Sequence, residues 1–122
     1  MTTLPPMLPK KPKRDNRVRC PAHLKWVAQH WCVVPGCDER DPEKIVAHHV
    51  RNGTDGGMGM KPGDQWVVSL SHKHHVELHA IGEDTFAERY DIDPKALAEE
   101  FWRRSPHRRA WEAKQRKQGD RR

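Results

Sequence analysis

Residues 47–82 read AHHVRNGTDGGMGMKPGDQWVVSLSHKHHVELHAIG and contain the features that decide the fold. A short apolar segment with two adjacent histidines, 44–50, precedes a glycine-rich stretch without periodicity, 51–64, and a second apolar segment, 65–70. Two strands joined across such a loop form a β-hairpin. Residues 71–82 have helical spacing between a serine suited to an N-cap and a glycine suited to ending a helix. The stretch therefore predicts strand, loop, strand and helix in that order.

The segments on either side of this stretch are predicted to be mainly helical. Residues 21–31 place Leu24, Val27 and Trp31 at helical spacing after a proline that suits a first turn. Residues 32–37 form a tight turn between two cysteines. Further helices are predicted over 84–92, over 93–104 with Asp93 as its cap, and in the basic tail. The chain is therefore expected to belong to the α+β class.

The ends of the chain differ in composition from its centre. Residues 1–19 combine four prolines with a basic cluster. We expect them to form a disordered or extended arm, which either lies along phosphates or is a solvated tail without function. Residues 20–105 are expected to form one domain, and residues 106–122 a basic C-terminal helix or tail.

The composition limits the core that this chain can build. Of 122 residues, 34% are apolar and 33% are charged, so a metal ion would help so small a domain to fold. Three cysteines are an odd number, which argues against a disulfide framework and leaves metal binding open. Five tryptophans are expected to supply much of the core: Trp26, Trp31, Trp66, Trp102 and Trp111.

The charge of the chain favours a polyanionic partner. The formal net charge is +6 and the pI is about 9.5. Nucleic acid is expected before a membrane surface, because no segment has the pattern of an amphipathic membrane anchor. No apolar run is long enough to cross a bilayer, and the N-terminus has no apolar signal core, so we expect a cytoplasmic protein.

Helical geometry divides the histidines of residues 71–82 into two sets. At about 100° per residue, His75 and His79 lie on one face, where two imidazoles can reach one ion. His74 points to the face shared by Leu78 and Ile81. The zinc-protease motif has a glutamate directly after its first histidine. Here the glutamate comes two positions after His75 and points away, so a metalloprotease is not expected.

The adjacent histidines of the first strand are expected to have different roles. Successive side chains of a strand point to opposite faces, so His48 and His49 cannot both bind one ion through the same geometry. One is expected to be a ligand and the other a general base. An imidazole with a pKa near 6.5 is about half deprotonated near neutrality, which suits it to activating water.

A strand with two histidines, a loop, a second strand and a helix with His-x3-His together resemble the HNH, or ββα-metal, endonuclease family. The stretch 47–82 is similar to a branch of small phage and prophage HNH nucleases. The resemblance implies a ββα-metal core with flanking helices. It also implies that His48, His75 and His79 hold one divalent ion (Mg²⁺, Mn²⁺, Ni²⁺ or Zn²⁺), and that His49 is the general base. The implied reaction is hydrolysis of DNA to 5′-phosphate and 3′-hydroxyl ends.

The chain departs from the family pattern at the residue that orients the base. The family has an asparagine near the start of the second strand, and this region reads KPGDQWVV. Asp64 is the best substitute, because a carboxylate that accepts an imidazole N–H also raises the basicity of the ring. Asn52 is the other candidate, but it comes too early in the loop.

A second departure concerns a structural zinc site. Many HNH proteins hold their loops with cysteines before the hairpin and at the helix start. This chain has Cys32 and Cys37, but Ser71 stands where the next cysteine would be, followed by His74. A fourth ligand would come from one of two residues, His72 or Cys20. Alternatively the zinc has been lost and the cysteines are small buried groups.

Basic residues near the expected site are candidates for DNA contact. Arg51, Lys61 and Lys73 flank it, and the arginines of the C-terminal helices would add sequence-independent affinity: Arg103, Arg104, Arg108 and Arg109. Two functions follow. The first is an HNH endonuclease with low sequence specificity; the second is a catalytically inactive, metal-stapled nucleic-acid-binding module. The missing asparagine favours the second, and the retained histidines favour the first.

Overall fold

The computed structural model describes residues 2–9, 16–57 and 59–119. In these residues the chain is a small α+β protein with a two-stranded antiparallel sheet and five α-helices. The parts of the predicted arm and tail at 1, 10–15 and 120–122 lie outside the described residues. None of the helices in the described part has the length and apolar character needed to cross a membrane. The elements in chain order are α1 (Pro21–Val27), a 3-10 turn (Pro42–Lys44), β1 (Ile45–His49), β2 (Val67–Ser71), α2 (His72–Ile81), α3 (Glu83–Tyr90), α4 (Pro94–Arg104) and α5 (Arg108–Gly119).

The predicted hairpin is confirmed, with a shift in its second strand. β1 pairs antiparallel with β2, from Ile45 opposite Ser71 to His49 opposite Val67. The amide of Trp66 donates to the carbonyl of Gly63 at 3.0 Å and closes a turn there. Because this turn occupies the start of the predicted strand, β2 begins at Val67 and extends to Ser71.

β2 is buried along its whole length. α1, α2 and α4 all pack against it, so neither face of the strand reaches solvent. Two of its five residues are serines, and their hydroxyl groups have partners: Ser69 Oγ donates to the carbonyl of Trp31 at 2.7 Å, and Ser71 Oγ accepts from the amide of His74 at 3.3 Å. The hydrogen bonds offset the cost of burying these hydroxyls.

The hydrophobic core is small, and Phe86 is its one aromatic residue among the described residues. It consists of seven buried residues: Val34, Val50, Val68, Leu70, Leu78, Phe86 and Ala98. The expectation that tryptophans supply much of the core is wrong for Trp31, whose surface is 52% exposed and lies under the Arg40 guanidinium. Trp66 is only partly buried and packs against the edge of the core. The tryptophans therefore surround the core instead of filling it.

α1 is shorter than the predicted helix over 21–31. The ring nitrogen Nδ1 of His30 lies 2.8 Å from the carbonyl oxygen of Trp26, and the amide of His30 donates to the carbonyl of Val27 at 3.0 Å. These bonds turn the chain out of the helix after Val27. The segment that follows runs beside β2, where the amide of Val33 donates to the carbonyl of Ser69 at 3.0 Å.

Residues before α1 contact the glycine-rich loop, and α5 contacts those residues and α4. Arg19, assigned to the arm by the sequence, donates from Nη1 to the carbonyl of Pro62 at 2.7 Å, and the amide of Asp64 donates to the carbonyl of Val18 at 2.8 Å. The indole of Trp111 in α5 donates to the carbonyl of Arg19 at 3.1 Å. Its ring also contacts Trp102 of α4 at 6.1 Å between centroids. Val18, Arg19 and Trp111 thus contact the predicted domain or one another from both flanks.

The predicted helix signals around α2 and α4 are confirmed. The side chain of Ser71 caps α2, and Gly82 ends it with a φ of +89°, a conformation that favours glycine. The carboxylate of Asp93 accepts from the amide of Ala96 at 3.1 Å and caps α4. Local capping chemistry therefore fixed these boundaries.

His23 provides a test of the packing between α1 and α4. Its ring is fully buried, Nδ1 lies 2.9 Å from Ser105 Oγ, and Trp102 contacts it edge-on at 4.9 Å. Burial lowers the pKa of His23 from 6.5 to about 4. The folded state therefore holds the neutral ring, and its stability contribution is complete above pH 6.5 and is lost as the pH falls towards 4. We expect the lowered pKa of His23 to reduce the free energy of unfolding by about 3 kcal/mol in acid.

The measurement is urea unfolding at a series of pH values between 7.5 and 4.5 for wild type and His23→Gln. The glutamine variant is expected to be less stable at neutral pH but to lose less stability in acid, because it has no proton to gain at this position. Equal pH dependence of the two proteins would show that His23 is not held neutral by the fold.

Candidate metal centre and general base

Three histidines meet where the end of β1 faces α2. Each of His48, His75 and His79 offers a ring nitrogen, and these nitrogens all lie within 4.8 Å of one another. The Nε2 atoms of His75 and His79 are 3.0 Å apart. Neighbouring ligands held at about 2.0–2.1 Å from one ion would lie about 3 Å apart. The geometry therefore suits one divalent ion shared by a strand and a helix.

The surroundings of His75 favour its neutral imidazole. His48 is buried, His75 is half-buried and His79 is exposed, so the group opens to solvent on one side. Burial, followed by the charges of His48, His79 and the nearby His72, lowers the pKa of His75. A neutral imidazole has the lone pair that a metal ligand needs, and imidazole suits transition-metal ions. The donor set therefore fits the kind of ion expected there.

His49 points to the other face of β1 and meets Asp64. Its Nε2 lies 2.9 Å from Asp64 Oδ1. Asp64 is buried, and its second oxygen accepts from the amide of Cys20 at 2.7 Å, while the Arg19 guanidinium lies 3.6 Å from Oδ1. The structure thus brings together the two residues expected to be the base and its orienting group.

The electrostatics of this pair fix the state of the imidazole. Burial acts to raise the pKa of Asp64, but the hydrogen bonds from His49 and from the Cys20 amide, with the charge of Arg19, outweigh it and hold the pKa below its usual range. An ionised Asp64 accepts a hydrogen bond from the Nε2–H of His49, which leaves the lone pair of the neutral ring on Nδ1. The ring can therefore accept a further proton at Nδ1.

Glu83 is a site residue that the sequence reasoning missed. It is the first residue of α3, and its Oε1 lies 3.2 Å from His48 Nε2. Burial acts to raise the pKa of Glu83, but the hydrogen bonds from His48 and from the amides of Arg51 and Asn52 outweigh it and lower the pKa. No motif spacing predicts this contact. Glu83 reaches His48 because the chain turns at Gly82, and a turn of this kind brings together residues that are far apart in the sequence.

Asn52, the other candidate for orienting the base, has a different position. Its amide nitrogen Nδ2 donates to Asp84 Oδ1 at 2.7 Å, and its backbone amide donates to Glu83 Oε2 at 2.8 Å. Both contacts join the glycine-rich loop to the start of α3. Asp64 is therefore the partner that the structure gives to His49.

A second group of possible ligands lies at the N-terminal end of α2. Cys32, Cys37 and His74 offer ligand atoms within 4.8 Å of one another. Cys32 Sγ lies 3.6 Å from His74 Nδ1, about the separation expected of a thiolate and an imidazole in a tetrahedral zinc site. His74 is buried and its ring contacts Tyr90 at 5.2 Å between centroids. These residues form a possible metal-binding group.

Ser71 lies beside this group. Its Oγ lies 2.9 Å from His74 Nδ1 and accepts a hydrogen bond from the Cys37 thiol at 3.6 Å. Within the described residues, neither Cys20 nor His72, the expected fourth ligands, joins the group. Cys20 instead donates its amide to Asp64, and His72 is exposed on the first turn of α2.

The thiol of Cys32 is held in its protonated form in the absence of a metal. Burial raises its pKa, although hydrogen bonds at Ser71 and Val34 act in the opposite direction. Because a thiolate is the form that binds a metal, a metal that binds here would release a proton. The thiol is therefore not set up as a nucleophile.

Glu77 lies away from the three-histidine group. Its carboxylate accepts a hydrogen bond from the hydroxyl of Tyr90 and lies 3.6 Å from Nη1 of Arg89. Both partners belong to α3, so the glutamate joins α2 to α3. This position agrees with the exclusion of the zinc-protease arrangement.

The basic residues expected to contact DNA lie in different surroundings. Arg51 is exposed and lines a cleft of about 250 Å³ together with His48 and His79. Lys61 and Lys73 are exposed, the second on the first turn of α2. The four C-terminal arginines lie in α4 and α5, where Arg103 and Arg104 pair with Glu100 and Arg108 lies 3.9 Å from Glu112, while Arg109 is exposed.

Comparison with known proteins gives a family for the chain. A curated relative, "Uncharacterized protein YdfU" of Escherichia coli (strain K12), is 37% identical over 70 residues, which are 57% of this chain and 18% of that protein. The matching part of the chain thus spans less than a fifth of that relative's length. No solved structure matches the chain. The profile of the family described as "Protein of unknown function (DUF968)" matches residues 3–107, and the chain therefore belongs to the DUF968 family.

Proposed function

We propose that the chain is a metal-dependent HNH endonuclease that hydrolyses DNA phosphodiester bonds, with 5′-phosphate and 3′-hydroxyl products and low sequence specificity. The observation that carries the proposal is that two adjacent histidines at the end of β1 face different partners. His48 faces His75 and His79, while its neighbour His49 faces Asp64. A ligand group and an oriented base thus stand side by side on one strand, as a ββα-metal core of this class requires.

The proposed chemistry assigns a separate task to each side of the strand. A divalent cation held by His48, His75 and His79 would supply Lewis-acid stabilisation at the scissile phosphate. His49 takes the proton of the attacking water at Nδ1, because Nε2 is committed to Asp64 at 2.9 Å. Asp64 keeps the ring in the required tautomer and stabilises the imidazolium that forms.

Charge and shape support DNA as the substrate. The chain has a formal net charge of +6, and Arg51 stands in the cleft that His48 and His79 line. Among the C-terminal arginines, Arg103 and Arg104 share Glu100, so their charge is partly neutralised. We therefore assign the nearest phosphate to Arg51 and a weaker, salt-dependent contribution to the others.

The second candidate function is a metal-stapled nucleic-acid-binding module without catalysis. The observation that favours it is the Cys32, Cys37 and His74 group, which would stabilise the fold whether or not the three histidines hold an ion. We propose Zn²⁺ for this group, because thiolate and imidazole ligands with tetrahedral spacing select it. The two functions differ in the result of a cleavage assay.

The first prediction concerns His49. In a supercoiled-plasmid nicking assay with Mg²⁺, Mn²⁺, Ni²⁺ or Zn²⁺, wild type is expected to nick DNA, and His49→Ala is expected to be slower by about 10²–10⁴-fold because the general base is lost. His72→Ala is the matched control. This histidine is exposed on α2, outside the three-histidine group, so its removal is expected to leave the rate near that of wild type.

Two results would contradict the assignment. Wild type that shifts DNA in a gel but cuts with none of the four metals would support the non-catalytic module. Wild type that cuts, with His49→Ala cutting equally fast, would remove His49 from the chemistry while keeping the nuclease.

The second prediction separates Asp64 from metal binding. Asp64→Asn is expected to lower the nicking rate by about 10–100-fold, the effect typical of losing a group that orients another. Metal affinity at the three-histidine group is expected to stay close to wild type, because Asp64 contacts His49 and not the ligands. Isothermal titration with Mn²⁺ and the nicking assay together check this; a parallel loss of both would indicate a general structural effect.

The third prediction concerns the cysteine group. A Cys32→Ser, Cys37→Ser double variant is expected to lose one equivalent of zinc, measured by mass spectrometry of the purified protein, and to melt at a lower temperature. Cys20→Ser is the control, since Cys20 belongs to neither ligand group in the described residues. Unchanged zinc content in the double variant would show that the two cysteines hold no metal.

A further inference from the structure

Glu83 contacts His48, the ligand that β1 would contribute to the metal site. Its side chain is 11% exposed and that of His48 is 5% exposed, so the contact between them is shielded from water. Oε1 lies 3.2 Å from His48 Nε2. The carboxylate does not belong to the three-histidine group, whose ligand atoms all lie within 4.8 Å of one another. Glu83 therefore contacts the ligand without being one of the set.

The same carboxylate is fixed by two backbone amides. Oε1 also accepts from the amide of Arg51 at 2.8 Å, and Oε2 accepts from the amide of Asn52 at 2.8 Å. These amides come after the end of β1, beyond Val50, whose own amide donates to the carbonyl of Trp66. Two backbone donors thus hold one side chain in a single orientation, and the side chain in turn contacts His48.

A carboxylate at this distance decides which nitrogen of His48 carries the proton. An ionised Glu83 accepts a hydrogen bond and cannot donate one, so the proton of the neutral ring belongs on Nε2 and the lone pair on Nδ1. Metal-ligating histidines commonly donate their other ring N–H to a carboxylate, which fixes the ring orientation and raises its basicity. The contact of Glu83 with His48 is made at Nε2, at 3.2 Å, and leaves Nδ1 as the nitrogen that can bind an ion.

We propose that Glu83 is the positioning residue of the metal centre: it holds His48 as the Nε2–H tautomer, presents Nδ1 to the ion and ties the end of β1 to the start of α3. The inference rests on the proposed metal site at His48, His75 and His79. It does not depend on the reaction that the site performs. Glu83 and Asp64 then have parallel roles: Glu83 orients the ligand His48, and Asp64 orients the base His49.

The experiment measures metal binding instead of activity. Mn²⁺ is titrated calorimetrically into metal-free wild type, Glu83→Gln and Asp84→Asn, and the binding event that His75→Ala abolishes is the one followed. Glu83→Gln is expected to weaken it by about 10–100-fold. Asp84 is the matched control: it is the next carboxylate on the same helical turn, and it bonds the Asn52 side chain and not His48.

A second measurement reports the tautomer itself. Long-range ¹H–¹⁵N spectra of the metal-free wild type are expected to show His48 with its proton on Nε2, and spectra with a diamagnetic ion, Zn²⁺, to show Nδ1 as the ligand. In Glu83→Gln the metal-free ring is expected to populate both tautomers. A loss of fold would change all histidine signals, whereas a loss of positioning changes those of His48.

The outcomes separate this inference from the proposed function. Equal Mn²⁺ affinity of Glu83→Gln and wild type, or a His48 that binds the ion through Nε2, overturns the role of Glu83 and leaves the metal site intact. A wild type with no binding event that His75→Ala removes overturns the site and this inference together. A wild type that binds Mn²⁺ as expected but does not cut DNA overturns the nuclease alone.

Discussion

The alternation of side chains along β1 is the constraint on which the candidate site depends. Because the period of a strand is two residues, His48 and His49 must face opposite ways, and the pairing with the buried strand β2 fixes which way each one faces. A slip of one residue in this register would exchange the two histidines between the ligand group and Asp64. β2 resists such a slip because a shift of one residue would put Ser69 and Ser71 in place of Val68 and Leu70 in the core and break the hydrogen bonds of both serines.

Each histidine of β1 has a ring nitrogen in contact with a buried or half-buried carboxylate. Asp64 comes from the end of the glycine-rich loop and Glu83 from the first turn of α3, and both carboxylates accept backbone amides besides the imidazole. Such a carboxylate keeps its charge at low exposure because several donors replace the lost water. The two pairs therefore hold both rings in defined tautomers before any ligand arrives. Preorganisation of this kind is what an active site, or a metal site, needs from its fold.

Local signals in the sequence predicted the parts of the fold that local chemistry decides. The hairpin follows from two apolar segments around a glycine-rich loop, and α2 follows from the Ser71 cap and the Gly82 stop. The separation of His74 from His75 follows from 100° per residue alone. The early end of α1 coincides with a contact of the His30 ring with the carbonyl of Trp26, which apolar spacing does not predict. Contacts between distant segments, such as that of Glu83 with His48, leave no trace in periodicity or spacing, so the sequence could not reveal them.

α2 connects the two candidate metal groups and relates the stability of the fold to its site. His74 belongs to the cysteine group and the next residue, His75, to the three-histidine group, so about 100° of helix separates the two directions. A metal at Cys32, Cys37 and His74 would fix the rotation of α2 about its own axis. That rotation decides how closely His75 and His79 approach His48. Other contacts of α2 also oppose rotation, because Leu78 lies in the core with Ile81 packed against it and Glu77 accepts a hydrogen bond from Tyr90 of α3. A metal at the cysteine group would add to these contacts. The cysteine group would thus act on function through geometry: it would set the position of two ligands that it does not touch.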